Sequence, residues 1–221
     1  MEYVDVLTED GIKTGEIVTR EEAHRKGYYH RAIIVCIINA ENKILIQKRA
    51  KTKKKRPGMW DISVAGHVSS GQDSLSASMR EVGEEVKVTF RWDIAAKDFR
   101  YMFSYRCKEV FEDGMIENQY YDVFVYREPN LLDAKNVKIQ KEEVEEVALV
   151  TPAELDEMSK DEENFVQRPI YDELINYLYR YWWCTTLVMC KRTLGGKIME
   201  KRIEKTCGNC YNEFEMTSKM I

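Results

Sequence analysis

The chain has 221 residues, of which 44% are apolar and 33% charged, a composition typical of a folded globular protein and not of a disordered one. Its net charge of −4 favours neither a nucleic-acid binder nor a protein held on a membrane surface. No run approaches the ~20 apolar residues that cross a bilayer, and the N-terminus lacks the basic start and apolar core of a secretory signal. Four of the six cysteines follow residue 180, unlike a disulfide scaffold, so we expect a reduced, cytoplasmic protein.

Strands and helices are both predicted along the chain. Thr19 with Glu22, and Thr151 with Glu154, have the spacing of a capping box, which marks the start of a helix. Apolar runs and alternating apolar residues predict strands at residues 3–8, 15–19, 31–39, 43–48, 61–65, 99–110, 116–127 and 144–150. Helical spacing and caps predict helices at residues 21–25, 74–86, from 152 onward and 169–182.

These elements predict a mixed α/β (α+β) fold, with one internal helix between strands and helices near the end. We expect three regions: N-terminal strands and a short helix at 1–27, a main domain at 28–180, and a C-terminal extension of unknown role at 181–221. Within the extension, Cys207 and Cys210 are a weak zinc or redox signal, because no second Cys pair matches them. Tyr181–Trp183 is apolar enough to pack on the domain or to form a homodimer contact.

Three carboxylates share one face of the helix predicted at residues 74–86. Glu81, Glu84 and Glu85 stand at positions i, i+3 and i+4, where like charges destabilise a helix. A divalent cation reverses that effect, and Mg²⁺ characteristically combines one or two carboxylates with water and substrate phosphates. The pattern therefore predicts a site for Mg²⁺ or Mn²⁺, with a solvated acidic helix face as the alternative.

The residues around these glutamates suit a phosphate ligand. Arg80 can orient a neighbouring carboxylate or contact a phosphate. Gly66 and Gly71 predict a loop before the helix, where backbone N–H groups can face an anion. A small molecule that carries phosphate groups is therefore the expected partner.

The segment from Gly66 to Val88 resembles the Nudix box: a glycine, five residues, Glu, seven residues, Arg-Glu, an apolar residue, any residue, Glu-Glu, any residue, Gly and an apolar residue. The resemblance implies a Nudix-type α/β/α sandwich with a mixed central sheet, and metal-dependent hydrolysis of a diphosphate linkage in a nucleoside diphosphate derivative or a similar small diphosphate. It implies catalytic roles for Arg80, Glu81 and Glu84. Glu81, Glu84 and Glu85 are then the metal ligands.

Two positions depart from the box. Gln72 stands where the family has its first glutamate, and we expect it to tune activity without abolishing it. Lys87 stands where the family has a glycine, so it costs roughly 1 kcal/mol there or extends the helix slightly. Nudix enzymes can take a further acidic group from outside the box, for which the candidates are Glu142, Glu143, Glu145 and Glu146.

The segments ILIQKR, PGMWDIS and AGHVSSG resemble the branch of the family related to isopentenyl-diphosphate isomerase, and this resemblance covers roughly residues 3–180. Isomerases of this branch bind a metal through histidines and glutamates and move a proton with a cysteine. By resemblance, the metal-binding positions here are His24, His30, His67 and Glu117, which could form a second metal or substrate site. The alternative is that these histidines contact phosphate or nothing.

At two other positions this sequence differs from the isomerases. Gln119 stands at the second glutamate position, and Ala65 stands at the cysteine position, where a methyl group cannot transfer a proton. A hydrolase is therefore the leading prediction. An isomerase-like enzyme and a catalytically weak module that recognises a diphosphate or an RNA end are the alternatives.

A basic run precedes Trp60 in a predicted loop that starts at Lys48. It either attracts phosphate at the rim of a pocket or is a solvated, mobile loop. Lys48 and Arg49, next to the preceding strand, are the candidates for substrate binding. Trp60 could stack on a base or cover the pocket, with a position at the edge of the core as the alternative.

Overall fold

The computed structural model of the protein describes residues 2–87, 96–111 and 114–180. The chain divides into two compact units, Met1–Ile175 and Asn176–Ile221. The predictions for Val88 and for the extension at 181–221, with its cysteine pair and Tyr181–Trp183, lie outside the described residues. Among the residues that are described, no helix combines the length and apolar character needed to cross a membrane.

The predicted alternation of strands and helices is present. The strands in the described part of the chain are β1 (Tyr3–Leu7), β2 (Lys13–Thr19), β3 (His30–Ile38), β4 (Ile44–Arg49), β5 (Trp60–Ile62), β6 (Val64–His67), β7 (Val86–Lys87), β8 (Phe99–Val110), β9 (Ile116–Arg127), β10 (Lys138–Ile139) and β11 (Val144–Val150). The helices are α1 (Arg20–Lys26), α2 (Ser74–Glu85) and α3 (Pro152–Ser159), and residues 171–180 are also helical. Short 3₁₀ helices lie at Ala96–Asp98 and Ala134–Asn136.

One mixed sheet forms the centre of the fold. Its main strand order is β11-β4-β3-β9-β8, with β5 paired to β4 and β6 paired to β3. Strands β3 and β9 are parallel, whereas the other pairs in this sheet are antiparallel. Strand β3 is the continuous run of β-branched residues, and Ala32–Ile38 is buried along its whole length, as expected of a central strand. The predicted α+β class with a mixed sheet is confirmed.

Helix α2 lies against β3 and β6. Its predicted apolar stripe is confirmed, because Val82 and Val86 are buried in the core and Leu75 and Met79 pack against it. The Asp73 carboxylate caps the helix by accepting a hydrogen bond from the Ser76 N–H at 2.8 Å. The helix therefore begins directly after the loop of the box.

The expectation for Lys87 was wrong. Helix α2 ends at Glu85, and the chain continues in extended conformation as β7, where Lys87 pairs with Lys138 of β10. No residue with a left-handed backbone conformation is needed at this point, because the residues after Glu85 adopt the extended conformation of a strand. Lysine in place of glycine therefore neither extends the helix nor strains the backbone.

The single strand predicted at residues 61–65 is instead two strands that meet at Ser63. Strand β5 pairs with β4, and β6 pairs with β3, so the chain changes partners at this residue. The Ser63 hydroxyl accepts a hydrogen bond from the Ile37 N–H at 2.9 Å and donates one to the Leu45 carbonyl. Ser63 thus satisfies buried backbone groups of both central strands where they separate.

We predict that Ser63→Ala lowers the free energy of unfolding by about 2 kcal/mol, because it leaves a buried N–H and a buried carbonyl without this partner. Urea denaturation with an unchanged m-value would measure the loss. Ser78→Ala is the matched control: this hydroxyl is also buried, but it only adds a bond to the Ser74 carbonyl within helix α2. Equal losses in the two variants would contradict the role given to Ser63.

Candidate functional site

A cavity of about 390 Å³ opens beside helix α2 and the strands of the central sheet. Its lining in the described part of the chain is dominated by charged side chains of both signs. The cationic residues of the lining are Arg20, Arg49, Lys53, Lys55, Arg56, Arg80 and Arg168. The acidic ones are Glu2, Glu81, Glu84, Glu85, Glu117 and Glu143.

The three glutamates predicted to hold metal, Glu81, Glu84 and Glu85, all line this cavity. Glu81 is 9% exposed as a whole residue, whereas the Glu84 side chain is 58% exposed. Glu81 is thus withdrawn from solvent, whereas Glu84 is exposed as the alternative of a solvated acidic face has it. Burial raises the pKa of Glu81 above its ordinary value against the opposing charge of Arg80, as expected of a carboxylate that lacks enough positive charge around it.

Gly66 makes room for the Glu81 carboxylate. A Cβ atom at residue 66 would lie 2.4 Å from both Cδ and Oε1 of Glu81, well inside van der Waals contact. Only glycine therefore lets the Glu81 side chain cross strand β6 in this position. The glycine of the box thus has a steric reason here, and a positive φ angle is not involved.

Gln47 of strand β4 holds Glu85. Its amide Nε2 donates to Glu85 Oε2 at 3.3 Å, and its own Oε1 is buried without a partner. Burial, reinforced by the charge of Glu81, raises the pKa of Glu85 to about 8, while the bond from Gln47 opposes the shift. Glu85 is therefore held by a neutral amide and not by a cation of its own among the described residues.

Arg80 ties the glutamates to strand β6. Its Nη1 donates to Glu81 Oε1 at 2.8 Å and to Glu84 Oε2 at 3.4 Å, and its Nη2 donates to the His67 carbonyl at 3.0 Å. With these bonds made, the guanidinium orients two of the candidate metal ligands. Of its two predicted roles, the geometry favours orientation of the carboxylates.

His24, His30 and His67 are brought together, although they come from helix α1, strand β3 and strand β6. Their candidate ligand atoms all lie within 4.8 Å of one another. His24 is buried, and neither of its ring nitrogens has a hydrogen-bond partner. Burial lowers the pKa of His24 to about 4 and also lowers the pKa of His30 and His67, so all three rings are neutral at pH 7.

Gln119 and Glu117 border this histidine cluster from strand β9. The Gln119 amide nitrogen lies 3.1 Å from His30 Nε2 and 3.0 Å from His67 Nε2. Glu117 is ion-paired with Lys55 at 3.1 Å. The cluster therefore has neutral imidazoles suited to a metal, but an amide lies between two of them and the carboxylate has another cation as its partner.

A buried ion pair forms another part of the cavity wall. Arg168 donates to both carboxylate oxygens of Asp61, at 2.8 and 3.4 Å, and to the Tyr121 hydroxyl at 3.2 Å. The Tyr171 hydroxyl donates to the same carboxylate, and Arg49 Nη1 lies 3.7 Å from it. Asp61 is fully buried, and its pKa lies below the ordinary value because these donors and cations outweigh its burial.

Several residues predicted to contact substrate or phosphate do not line the cavity. Lys48 and Trp60 are not among the described residues that line the cavity, and Lys48 Nζ instead lies 5.9 Å from the centre of the Trp60 ring. The Gly71 N–H lies 3.4 Å from Asp5 Oδ2 and donates to it, so a protein carboxylate takes the place expected for a ligand anion. Gln72 Oε1 is buried without a partner, outside the cavity.

Other predicted residues do line the cavity. Arg49 is one of them, and Ala65 is another, at the position where an isomerase has its cysteine. Of the four acidic candidates outside the box, Glu143 alone lines it, and it is paired with Lys53.

Sequence reasoning missed Gln47 and Arg168. Gln47 has a weak signal, since it is a polar residue directly after the three apolar residues that begin strand β4. Arg168 has no such sequence signal, because its partner Asp61 is more than 100 residues away in the chain.

A family model described as the NUDIX domain matches residues 28–174. Nudix hydrolase 3 of Arabidopsis thaliana is 40% identical over 151 residues, which cover 67% of this chain but only 19% of that relative's length. An uncharacterized Nudix hydrolase of Listeria monocytogenes is 35% identical over 176 residues, covering 80% of this chain and 95% of the relative. An isopentenyl-diphosphate delta-isomerase of Pectobacterium atrosepticum is 31% identical over 114 residues, covering 52% and 60%.

A solved structure of a Deinococcus radiodurans protein has the same fold. It superposes with a TM-score of 0.60 at 20% identity, covering 80% of this chain and 99% of that chain. The mixed sheet, the helix that carries the glutamates and the match to residues 28–174 agree with one another. The chain therefore belongs to the Nudix hydrolase family, and isopentenyl-diphosphate isomerases are among its relatives.

Proposed function

We propose that the protein hydrolyses a diphosphate linkage in a small molecule, with Mg²⁺ or Mn²⁺ held by Glu81, Glu84 and Glu85. The observation that carries this proposal is that Glu81, Glu84 and Glu85 line one cavity and that the pKa of both Glu81 and Glu85 is raised there, although Arg80 is hydrogen-bonded to Glu81 and Glu84. Carboxylate oxygens are the ligands that these cations prefer. A cation bound there supplies the charge neutralisation that a diphosphate needs as its bridging bond breaks.

The side chains of this site divide the work of hydrolysis. The Glu81 carboxylate takes the proton of the attacking water, while the water oxygen bonds to one phosphorus and the bridging P–O bond breaks. Arg80 and Gly66 keep that carboxylate directed into the cavity. Gln47 orients Glu85, and Glu143 is a further acidic group at the same wall. A nucleoside diphosphate derivative is one candidate substrate.

An isomerase-like reaction is the rival function. Ala65 lines the cavity where isomerases of this branch carry the cysteine, and a methyl group cannot donate or accept a proton. Gln119 replaces one carboxylate ligand at the histidine cluster. These two changes favour hydrolysis. A catalytically weak binding module is the third candidate, and the cytoplasmic location and a homodimer stay predictions.

We predict that Glu84→Gln and Glu85→Gln each lower kcat for diphosphate hydrolysis at least about 100-fold, because each removes a charged metal ligand. The assay incubates the protein with Mg²⁺ and dinucleotides, nucleotide sugars, nucleoside triphosphates and prenyl diphosphates, and measures the phosphate-containing products. Glu146→Gln, at an exposed position outside the cavity, is the control that keeps its activity. An isomerised prenyl product would overturn the proposal, and binding without turnover would favour the binding module.

Gly66→Ala is expected to lower both the affinity for Mn²⁺ and the rate at least tenfold, because its methyl group displaces the Glu81 carboxylate. Electron paramagnetic resonance of bound Mn²⁺ measures the affinity directly. Gly83→Ala is a control of the same chemistry within helix α2, where an added methyl group has no neighbour within 4 Å. It should leave metal affinity unchanged and stabilise the helix by about 0.5–1 kcal/mol. Equal effects of the two variants would exclude the steric role of Gly66.

The histidine cluster is proposed as a second metal or substrate site, formed by His24, His30, His67 and Glu117. The neutral rings and the unpartnered nitrogens of His24 support metal binding. The Gln119 amide can offer its oxygen after a 180° rotation, since its orientation is assigned from hydrogen bonding.

We expect Co²⁺ to give a visible absorption band that His24→Ala removes, while hydrolysis that depends on Glu85 persists. The same band in His24→Ala, or its absence in the unaltered protein, would show that the cluster holds no metal.

A further inference from the structure

The segment between strands β4 and β5, residues 50–59, borders the cavity, and we call it the β4–β5 loop. Backbone hydrogen bonds close it at its base. The Gly58 N–H donates to the Arg49 carbonyl at 3.1 Å, and the Arg49 N–H donates to the Met59 carbonyl at 2.9 Å. Side chains from the middle of the loop, among them Lys55, line the cavity. The position of this middle part therefore decides part of the cavity wall.

Lys55 joins the middle of the β4–β5 loop to the hairpin formed by β8 and β9. Its Nζ atom lies 3.1 Å from Oε1 of Glu117 and 4.3 Å from the centre of the Phe111 ring. The next residue, Arg56, forms an ion pair with Glu109 of the same hairpin at 3.2 Å. Two neighbouring cations of the loop thus hold it against the hairpin by their side chains.

The backbone of the β4–β5 loop is strained beside these ion pairs. Arg56 has a φ angle of 49°, in the left-handed region that bulky residues other than glycine seldom adopt. Such a conformation persists only where the surrounding contacts fix it. The contacts that Lys55 makes with Glu117 are among those next to this residue. Loss of that ion pair therefore favours a loop that leaves the hairpin.

Glu117 also faces the histidine cluster. It lies two residues from Gln119 on the same face of β9, roughly 7 Å along the strand. The Gln119 amide nitrogen is 3.1 and 3.0 Å from ring nitrogens of two of the histidines. Burial lowers the pKa of His24, and the charge of Glu117 opposes that shift. The Glu117 carboxylate is not in the group of ligand atoms that lie within 4.8 Å of one another, so it has to turn away from Lys55 to join them.

A divalent cation at this cluster needs a negative charge beside it. The three imidazoles are neutral at pH 7, so they leave the charge of a buried metal ion uncompensated, which is unfavourable. Two carboxylates, Glu117 and Glu2, oppose the lowered pKa of His30, and Glu117 has the larger effect. Glu117 therefore has two cations that compete for it, the ammonium group of Lys55 and a metal ion at the histidines.

We propose that Lys55 is a latch that couples the β4–β5 loop to the histidine cluster. Glu117 binds either the Lys55 ammonium group, with the loop held against the hairpin, or a divalent cation at the cluster, with the loop released. Linkage makes the effect reciprocal: the closed loop weakens metal binding by the same factor by which bound metal favours the open loop. The inference rests on the second metal site of the proposed function and adds a control of access to the cavity.

Titration with Co²⁺ in excess Mg²⁺, followed by the visible band of the histidine cluster, measures this competition. Mg²⁺ occupies oxygen ligands, whereas imidazoles favour transition metals. Lys55→Gln frees Glu117, so we expect the Kd for Co²⁺ to fall about tenfold. Lys51→Gln is the matched control, because it removes the same charge from the same loop at a side chain that is 78% exposed and outside the cavity. It should leave the Kd unchanged.

The same titration in a Glu117→Gln background separates competition from charge repulsion. Lys55 then has no carboxylate to compete for, so Lys55→Gln should leave the Kd for Co²⁺ unchanged in that background. An effect of Lys55→Gln that persists there would come from repulsion between two cations and would overturn the latch. Circular dichroism checks that each variant is folded.

Limited trypsin digestion tests the reverse direction of the coupling. Cleavage after Lys54, which is exposed in the middle of the loop, tracks the population of the open loop. Saturating Co²⁺ should speed this cleavage about tenfold in the unaltered protein. In Glu117→Gln the loop is already released, so cleavage should be fast with or without Co²⁺. Cleavage that Co²⁺ does not change in the unaltered protein would overturn the latch.

The outcomes separate the latch from the proposals on which it rests. Equal Kd values for Lys55→Gln and Lys51→Gln overturn the latch and leave the metal site in place. If neither the unaltered protein nor Lys55→Gln shows the band, the metal site and the latch are both lost. Neither experiment measures hydrolysis, so a protein that hydrolyses no diphosphate can still show the latch in both assays.

Discussion

The crowding of the Glu81, Glu84 and Glu85 carboxylates at one cavity wall is the constraint on which the site depends. Burial, reinforced by the neighbouring charge of Glu81, raises the pKa of Glu85 to about 8, which expresses the cost of a charged carboxylate at this position. The chain offsets only part of it, through Arg80 and the amide of Gln47. The remaining charge is available to a divalent cation, which is the physical reason for proposing metal-dependent chemistry at this wall.

The central sheet brings these groups to one cavity. Strand β6 pairs with β3 only because the chain changes partners at Ser63, and that change lets Gly66 face the Glu81 side chain. The same strand ends at His67, beside His30 of β3 and Gln119 of β9. Residues from distant parts of the sequence thus meet at neighbouring positions of three adjacent strands.

The resemblance to isomerases and the proposed hydrolysis concern neighbouring groups of residues, of which His67, Glu117 and Gln119 line the same cavity as the glutamates. The histidine cluster keeps the three rings, but Gln119 lies between two of them and Glu117 is paired with Lys55. Ala65 removes the proton-transfer group of the isomerases, whereas the glutamates of α2 keep the full set implied by the box. Arg49 and Arg168, which both lie beside Asp61, form a third part of the cavity wall. Together the three regions favour a small ligand with several charged groups.

Much of the fold can be predicted from local sequence patterns. Strands β8, β9 and β11 and the start of α3 follow from alternation and from a capping box, because these signals lie within a few residues. The three glutamates and their arginine could be found in the same way, since one helix carries them at fixed spacing. The apolar stripe of α2 was predictable for the same reason.

Other features depend on contacts between residues far apart in the chain. Gln47 and Glu85 are 38 residues apart, and Arg168 and Asp61 are 107 apart, so neither pairing has a local pattern. The strand break at Ser63 and the extended backbone at Lys87 also depend on partner strands, which a local pattern does not identify. Local periodicity therefore predicts the elements and the helix that carries the glutamates, whereas tertiary contacts decide which charges face the cavity and which distant charges neutralise one another.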